Sequence, residues 1–259
     1  MSGQILVLQA QGVAQVTLSN PARFNAMTRA MWQSLRTVFE DLQQQPGVRC
    51  VLVQGDGEHF CAGGDISEYP DFRFDPEQLR HFHEQEVWGA LQAMLNCDVP
   101  LVAQIRGNCM GAGVEIASCC DIRLAADSAR FGAPIAKLGF PMAPRESALV
   151  ARELGLGVAR RMLLEAAVFN AEDMQRCGFL SQVLPLDLLL AQAQNRAQHI
   201  AALAPHAARL NKQTLRALLD SPEAGALVGL LASKAYAYAD SAEHREGITA
   251  FLEKRPPVF

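Results

Sequence analysis

Apolar residues along the chain change their spacing several times, and each change marks an element. Ile5 to Gln9 and Val13 to Ser19 alternate or cluster apolar positions on either side of Gln11-Gly12, which predicts an antiparallel pair of strands. Met27, Met31, Leu35, Phe39 and Leu42 then recur at helical spacing until Pro46-Gly47, predicting a helix over residues 27–45. Two dense apolar runs, 50–54 and 101–105, read as buried strands, with a helix expected between them over 76–96. This alternating order argues for an α/β fold.

The second half is helix-rich, with helices expected near 111–118, 144–153, 158–165 and 171–176 and a long series from Leu186 onward. Strand-like pieces at 122–125 and 181–184 interrupt it. No linker, composition break or fixed-period repeat divides the chain, so its 259 residues are read as one structural domain: a core over 1–190 and a helical region over 191–259.

Composition narrows the class. Half of the residues are hydrophobic and 19% are charged, as in an ordinary soluble globular protein. No apolar run approaches membrane-spanning length, and the first residues lack the layout of a signal peptide, so a cytoplasmic location is expected. A net charge of −4 gives no general attraction to nucleic acid. The seven cysteines are odd in number and form no C-x-x-C pair, which argues against a disulfide framework or a zinc site. His81-x-His83 cannot chelate on one helix, since residues two apart point in nearly opposite directions, and is read with Glu84 and Glu86 as a solvated helix face.

Two glycine-rich segments follow the two buried strands: Cys61-Ala62-Gly63-Gly64-Asp65 and Gly107-Asn108-Cys109-Met110-Gly111-Ala112-Gly113-Val114-Glu115. Each can present bare backbone N–H groups at a strand end, and two such loops can hold one oxyanion. Tight turns or close helix packing would use the same glycines. Neither the dinucleotide fingerprint nor the P-loop fits, because Ile116 and Arg160 occupy the third-glycine positions after Gly111 and Gly155, and no G-K-[ST] occurs. Glu115 stands alone among uncharged neighbours. It is either a proton-transfer group beside the hole or a buried structural glutamate paired to Arg106 or Arg123.

With Asn20 to Ala26, Cys120 to Ala125 and Glu246 to Arg255 added in order, these segments resemble the crotonase superfamily, the enoyl-CoA hydratase/isomerase group, over nearly the whole chain. The resemblance implies a spiral of ββα units to about residue 190, then a helical region used for trimerisation, with a homotrimer or dimer of trimers as the assembly. It implies an acyl-CoA thioester substrate, with coenzyme A present only as part of that substrate and no permanent cofactor or metal. Gly64 and Ala112 become the oxyanion donors and Glu115 the acid/base. Arg23, Asn25, Ala26, Ala62, Asp65 and Ile66 match segments framing the cofactor, and Phe251 and Lys254 match positions that approach it from a neighbouring subunit. Backbone capping is the commoner task for Asp65 and Asp121.

This chain also departs from the family pattern. The second glutamate of the hydratases normally follows the proline at Pro134, but here Ile135 stands there. The loop from Pro141 to Glu146 lacks the usual glycines, so Ile135, Phe140, Met142 and Glu146 are expected to shape the acyl pocket. Glu146 could replace the missing acid, although a carboxylate near a helix start more often serves capping electrostatics. An enoyl-CoA hydratase-like lyase is the leading expectation. Isomerisation, hydrolysis or decarboxylation of acyl-CoA on the same fold, or silent acyl-CoA binding, are the alternatives that Ile135 keeps open.

Overall fold

The structure, a computed structural model, describes residues 3–220, 238–239 and 241–259. Strand β1 (Gln4–Ala10) pairs antiparallel with β2 (Val13–Ser19) across Gln11-Gly12. Both turn residues have positive φ, 50° and 78°, as a two-residue turn matched to strand twist requires. From β2 the main sheet continues in parallel through β3 (Cys50–Gly55), β4 (Leu101–Ile105), β6 (Ile122–Ala126) and β9 (Gln182–Leu184). Residues of β4 are buried throughout, which explains why the central strands read as continuous apolar runs: helices cover both faces.

On one face, α1 (Arg29–Gln43) starts where Thr28 accepts a hydrogen bond from Met31 N–H. It buries Met31, Trp32, Leu35, Phe39 and Leu42 in the larger core. On the other face, α8 (Leu186–Ala201) presents Leu189, Ala193, Ala197 and Ala201 to Cys50, Leu52, Val102 and Leu124. The small alanine side chains let the helix lie close to the sheet. Helix α9 (Pro205–Asp220) follows and is tied back by polar contacts, Lys212 to Asp121 at 2.8 Å and Arg216 to Asp98 at 2.7 Å. Helix α10 (Ala242–Glu253) lies near the end of the chain; the part of the expected helical series at 221–237 falls outside the described residues.

Three strands of three residues each, β5 (Asn108–Met110), β7 (Arg130–Gly132) and β8 (Val168–Asn170), form a second sheet that the apolar spacing did not announce. The remaining helices are α2 (Pro76–His81), α3 (Trp88–Asn96), α4 (Ala112–Ser118), α5 (Pro144–Leu154), α6 (Leu156–Leu164) and α7 (Ala171–Arg176). The expected single helix over 76–96 is interrupted: a π-helical turn, Phe82–Val87, separates α2 from α3.

Parallel pairing of β3 with β4, Val51 opposite Leu101 through Gln54 opposite Gln104, ends both strands at the same edge. The two glycine segments therefore leave the sheet side by side. This is the carboxyl edge at which open parallel sheets characteristically form their clefts.

Candidate active site

The two segments are bonded to each other. Cys61 N–H donates to Asn108 C=O at 3.0 Å, and Met110 N–H to Cys61 C=O at 2.8 Å. A Cβ on Gly113 would stand 2.7 Å from the Cys61 carbonyl oxygen, so only glycine lets α4 approach this closely. Gly63 and Gly111 abut and have positive φ, 114° and 47°. The first segment is also held on its far side, with Met27 N–H donating to Gly63 C=O and Asp65 N–H to Met27 C=O, both at 2.8 Å. Gly64 N–H lies between these bonds with no protein acceptor, and neither does Ala112 N–H, at the first position of α4, have one among the described residues.

Gly64 and Ala112 border one cavity of about 240 Å³, together with Glu115 and the expected pocket residues Ile135, Phe140, Met142 and Glu146. Ala62 and Ile66 line it as well. Glu115 makes no ion pair with Arg106 or Arg123. Arg106 donates to Gly55 C=O, while Arg123 serves the carbonyl groups of Ala117, Cys120 and Phe179 and the carboxylate of Glu153. Burial raises the Glu115 carboxyl well above the usual carboxylate range, and the nearby charge of Glu146 raises it further. Both influences act in the same direction, because the ionised form is dry and beside a like charge.

Glu146 differs from the expected capping carboxylate. It sits in the first turn of α5, only 3% exposed, and its Oε1 lies 2.9 Å from His83 Nδ1. His83 is likewise not part of a solvated face. The wider π turn changes the register of the helix, aiming His83 and Glu86 inward while His81 stays exposed. Glu86 is buried against Arg29. Tyr69, Arg73 and Trp32, none of them singled out by spacing, complete the lining with His83. Tyr69 is set by the close approach of its hydroxyl to Gly64, where a Cβ would stand only 2.4 Å away.

The remaining expected residues do not line this cavity. Asp65 accepts from Ser67 N–H at 3.1 Å and Ser67 O–H at 2.6 Å, a helix-capping role. Asp121 accepts from Leu101 N–H at 2.7 Å. Asn25 is fully buried, its amide donating to the Asp56 and His59 carbonyls and its Oδ1 accepting from Asn20 N–H, so its side chain holds the segment together and has no free polar atom for a ligand. Ala26 is buried beside it. Arg23 is exposed near Asp65 at 3.5 Å. Phe251 and Lys254 are exposed and do not line the cavity. Burial pushes the Cys61 thiol up to about 12 and raises Cys109, which leaves both as packing groups rather than nucleophiles.

A mixed α/β spiral with two apposed glycine loops and a buried acid at a cavity defines a crotonase-type fold. The chain belongs to the enoyl-CoA hydratase/isomerase family, whose model matches residues 9–259. It is 32% identical over 257 residues to the "Probable enoyl-CoA hydratase echA8" of Mycobacterium tuberculosis, covering 98% of this chain and 97% of that one. It is 31% identical over 258 residues to the 2,3-dehydroadipyl-CoA hydratase of Escherichia coli, covering 99% and 98%. A crystal structure described as an enoyl-CoA hydratase/carnithine racemase from Magnetospirillum magneticum superimposes with a TM-score of 0.92 at 34% identity, covering 98% of this chain and 94% of that one.

Proposed function

We propose that the chain hydrates 2-enoyl-CoA thioesters, with Glu115 and Glu146 as its two acid/base groups. The observation that carries this reading is the meeting of two buried carboxyls and two acceptor-free amides around one cavity. The family relationship and the hydratase names of its relatives support it.

In this mechanism the thioester oxygen accepts from Gly64 and Ala112 N–H. Water attacks the β-carbon and gives its proton to the Glu146 carboxylate, which His83 positions. The alkene electrons move to the thioester oxygen, where the amides stabilise the enolate; a single donor of this kind contributes about 3–4 kcal/mol. Collapse of the enolate takes the proton from Glu115 onto the α-carbon. Transfer of the water-derived proton back to Glu115 resets the pair. Coenzyme A enters and leaves with the acyl group. Trimeric assembly, which would bring Phe251 and Lys254 of one copy toward the cavity of another, belongs to the same reading.

Incubation with an enoyl-CoA panel in heavy-oxygen water, followed by mass spectrometry, tests the reaction. One heavy oxygen should appear in a hydroxyacyl-CoA with the thioester intact; heavy oxygen in a free acid would indicate hydrolysis instead. Glu115→Gln and Glu146→Gln should each lower kcat by about 10²–10⁴-fold. His83→Phe should cost little further in the Glu146→Gln background if the two act as a unit. Full activity of Glu146→Gln would remove the second acid from the mechanism.

A further inference from the structure

Arg73 has a setting that hydration of a simple alkenyl chain does not use. Its guanidinium lies 3.7 Å from the Phe140 ring centroid and 4.5 Å from that of Tyr69, pinned in place by stacking. Its backbone N–H donates to Tyr69 C=O at 2.8 Å, anchoring the turn that carries it. Three other arginines have carboxylate partners: Arg29 pairs with Glu86, Arg145 with Glu84 and Arg23 with Asp65. The Arg73 guanidinium has neither an ion pair nor a hydrogen-bond acceptor among the described residues. The carboxylate of Glu146, whose charge acts on it, is engaged by His83.

An unpaired cation in an apolar wall is costly unless an anion completes it. Burial is the leading influence on Arg73 and pulls its pKa below the ordinary arginine value. Position narrows the choice of anion. Arg73 borders the reaction cavity and also the adjoining surface cleft formed by Phe74, Leu79 and Leu138, so it stands where the two join. The turn that carries it lies beyond Tyr69, whose hydroxyl is against Gly64. An acyl chain fixed by its thioester oxygen at Gly64 and Ala112 can therefore run past Tyr69 and end at Arg73.

We propose that Arg73 receives a carboxylate at the far end of the acyl group, so that the preferred substrates are CoA thioesters of dicarboxylic acids. A guanidinium presents the planar fork that a carboxylate matches with two parallel hydrogen bonds. The inference rests on the acyl-CoA reading above but not on hydration itself, and saturated thioesters separate the two.

Calorimetric titration of the full chain with succinyl-, glutaryl- and adipyl-CoA, each against the neutral thioester of the same length, should show at least one length at which the dicarboxylic form binds tenfold or more tightly. Arg73→Met should reduce that preference at least tenfold, and Arg73→Lys should keep part of it. Equal or weaker binding of all three dicarboxylic thioesters by the unaltered chain would overturn the proposal, without any variant being needed. A parallel loss of dicarboxylic, neutral and free CoA binding in Arg73→Met would also overturn it, by showing that Arg73 serves the nucleotide or the fold. A dicarboxylic preference in a chain that hydrates no enoyl-CoA would defeat the hydration reading and leave this one standing.

Discussion

Replacement of Gly113 by alanine tests whether the apposition of the two loops is what the site depends on. A Cβ there would lie 2.7 Å from Cys61 C=O and 3.1 Å from Cys61 Cβ, where ordinary contact begins at 3.4 Å. Neither neighbour yields easily: Cys61 is fully buried, and its carbonyl accepts from Met110 N–H at 2.8 Å. The loops must therefore part. Overpacking of this kind costs about 1–3 kcal/mol of stability. Separation also moves Ala112 N–H away from Gly64 N–H, and loss of one well-placed donor costs about 3–4 kcal/mol of transition-state stabilisation, about 10²–10³-fold in kcat. The assay is thermal unfolding together with kcat on the best enoyl-CoA, with Gly157→Ala as the control. A Cβ at Gly157 has nothing within 4 Å, so that variant should keep its activity and unfold no more easily. A Gly113→Ala enzyme with kcat within twofold of the parent and an unchanged Tm would refute the dependence on loop contact.

Two further outcomes follow from buried groups. Because the folded protein holds Glu115 protonated above its ordinary 4.5, the unfolded chain ionises first as pH rises, and the stability associated with this acid is lost progressively from about pH 4.5 up to the folded pKa. Glu115→Gln, which cannot ionise, should therefore melt higher than the parent at pH 8 and match it near pH 4; a constant difference across that range would contradict the assignment. Arg123 is buried and bridges Ala117, Cys120 and Phe179 carbonyls to Glu153, so Arg123→Met should destabilise by about 3–5 kcal/mol in denaturant titrations. A loss below 1 kcal/mol would show that those carbonyls find other donors.

Much of the scaffold was legible because it obeys one period at a time. Helix α1 announces itself through Met31, Leu35, Phe39 and Leu42, and β3 and β4 through unbroken apolar runs that only a doubly covered strand tolerates. Strands β5, β7 and β8 are too short for any period to register; they exist because their neighbours supply the pairing. The site divides along the same line. Each glycine loop is contiguous in sequence and Glu115 belongs to the second, so both could be seen there, whereas the direction of Glu146 depends on how α5 packs against the 82–87 turn. His83 was misread because the apolar spacing from 76 to 96 continues across a π turn that reorients the side chains within it. Apolar spacing alone carries no mark of the extra residue in such a turn. The setting of Arg73 was equally hidden, since only the folded structure shows that other arginines have carboxylate partners and that Arg73 has none among the described residues.

The loop pairing between Cys61, Asn108 and Met110 is built from peptide groups, while the cavity walls at 69–73, 83, 135–142 and 146 are built from side chains. In the proposed mechanism, grip on an acyl oxygen and choice of chemistry are thus written in separate alphabets. On that proposal, point substitutions could rewrite the second repeatedly without erasing the first, so an acid lost at one wall could be resupplied from another while the anchoring of the thioester stayed as it was.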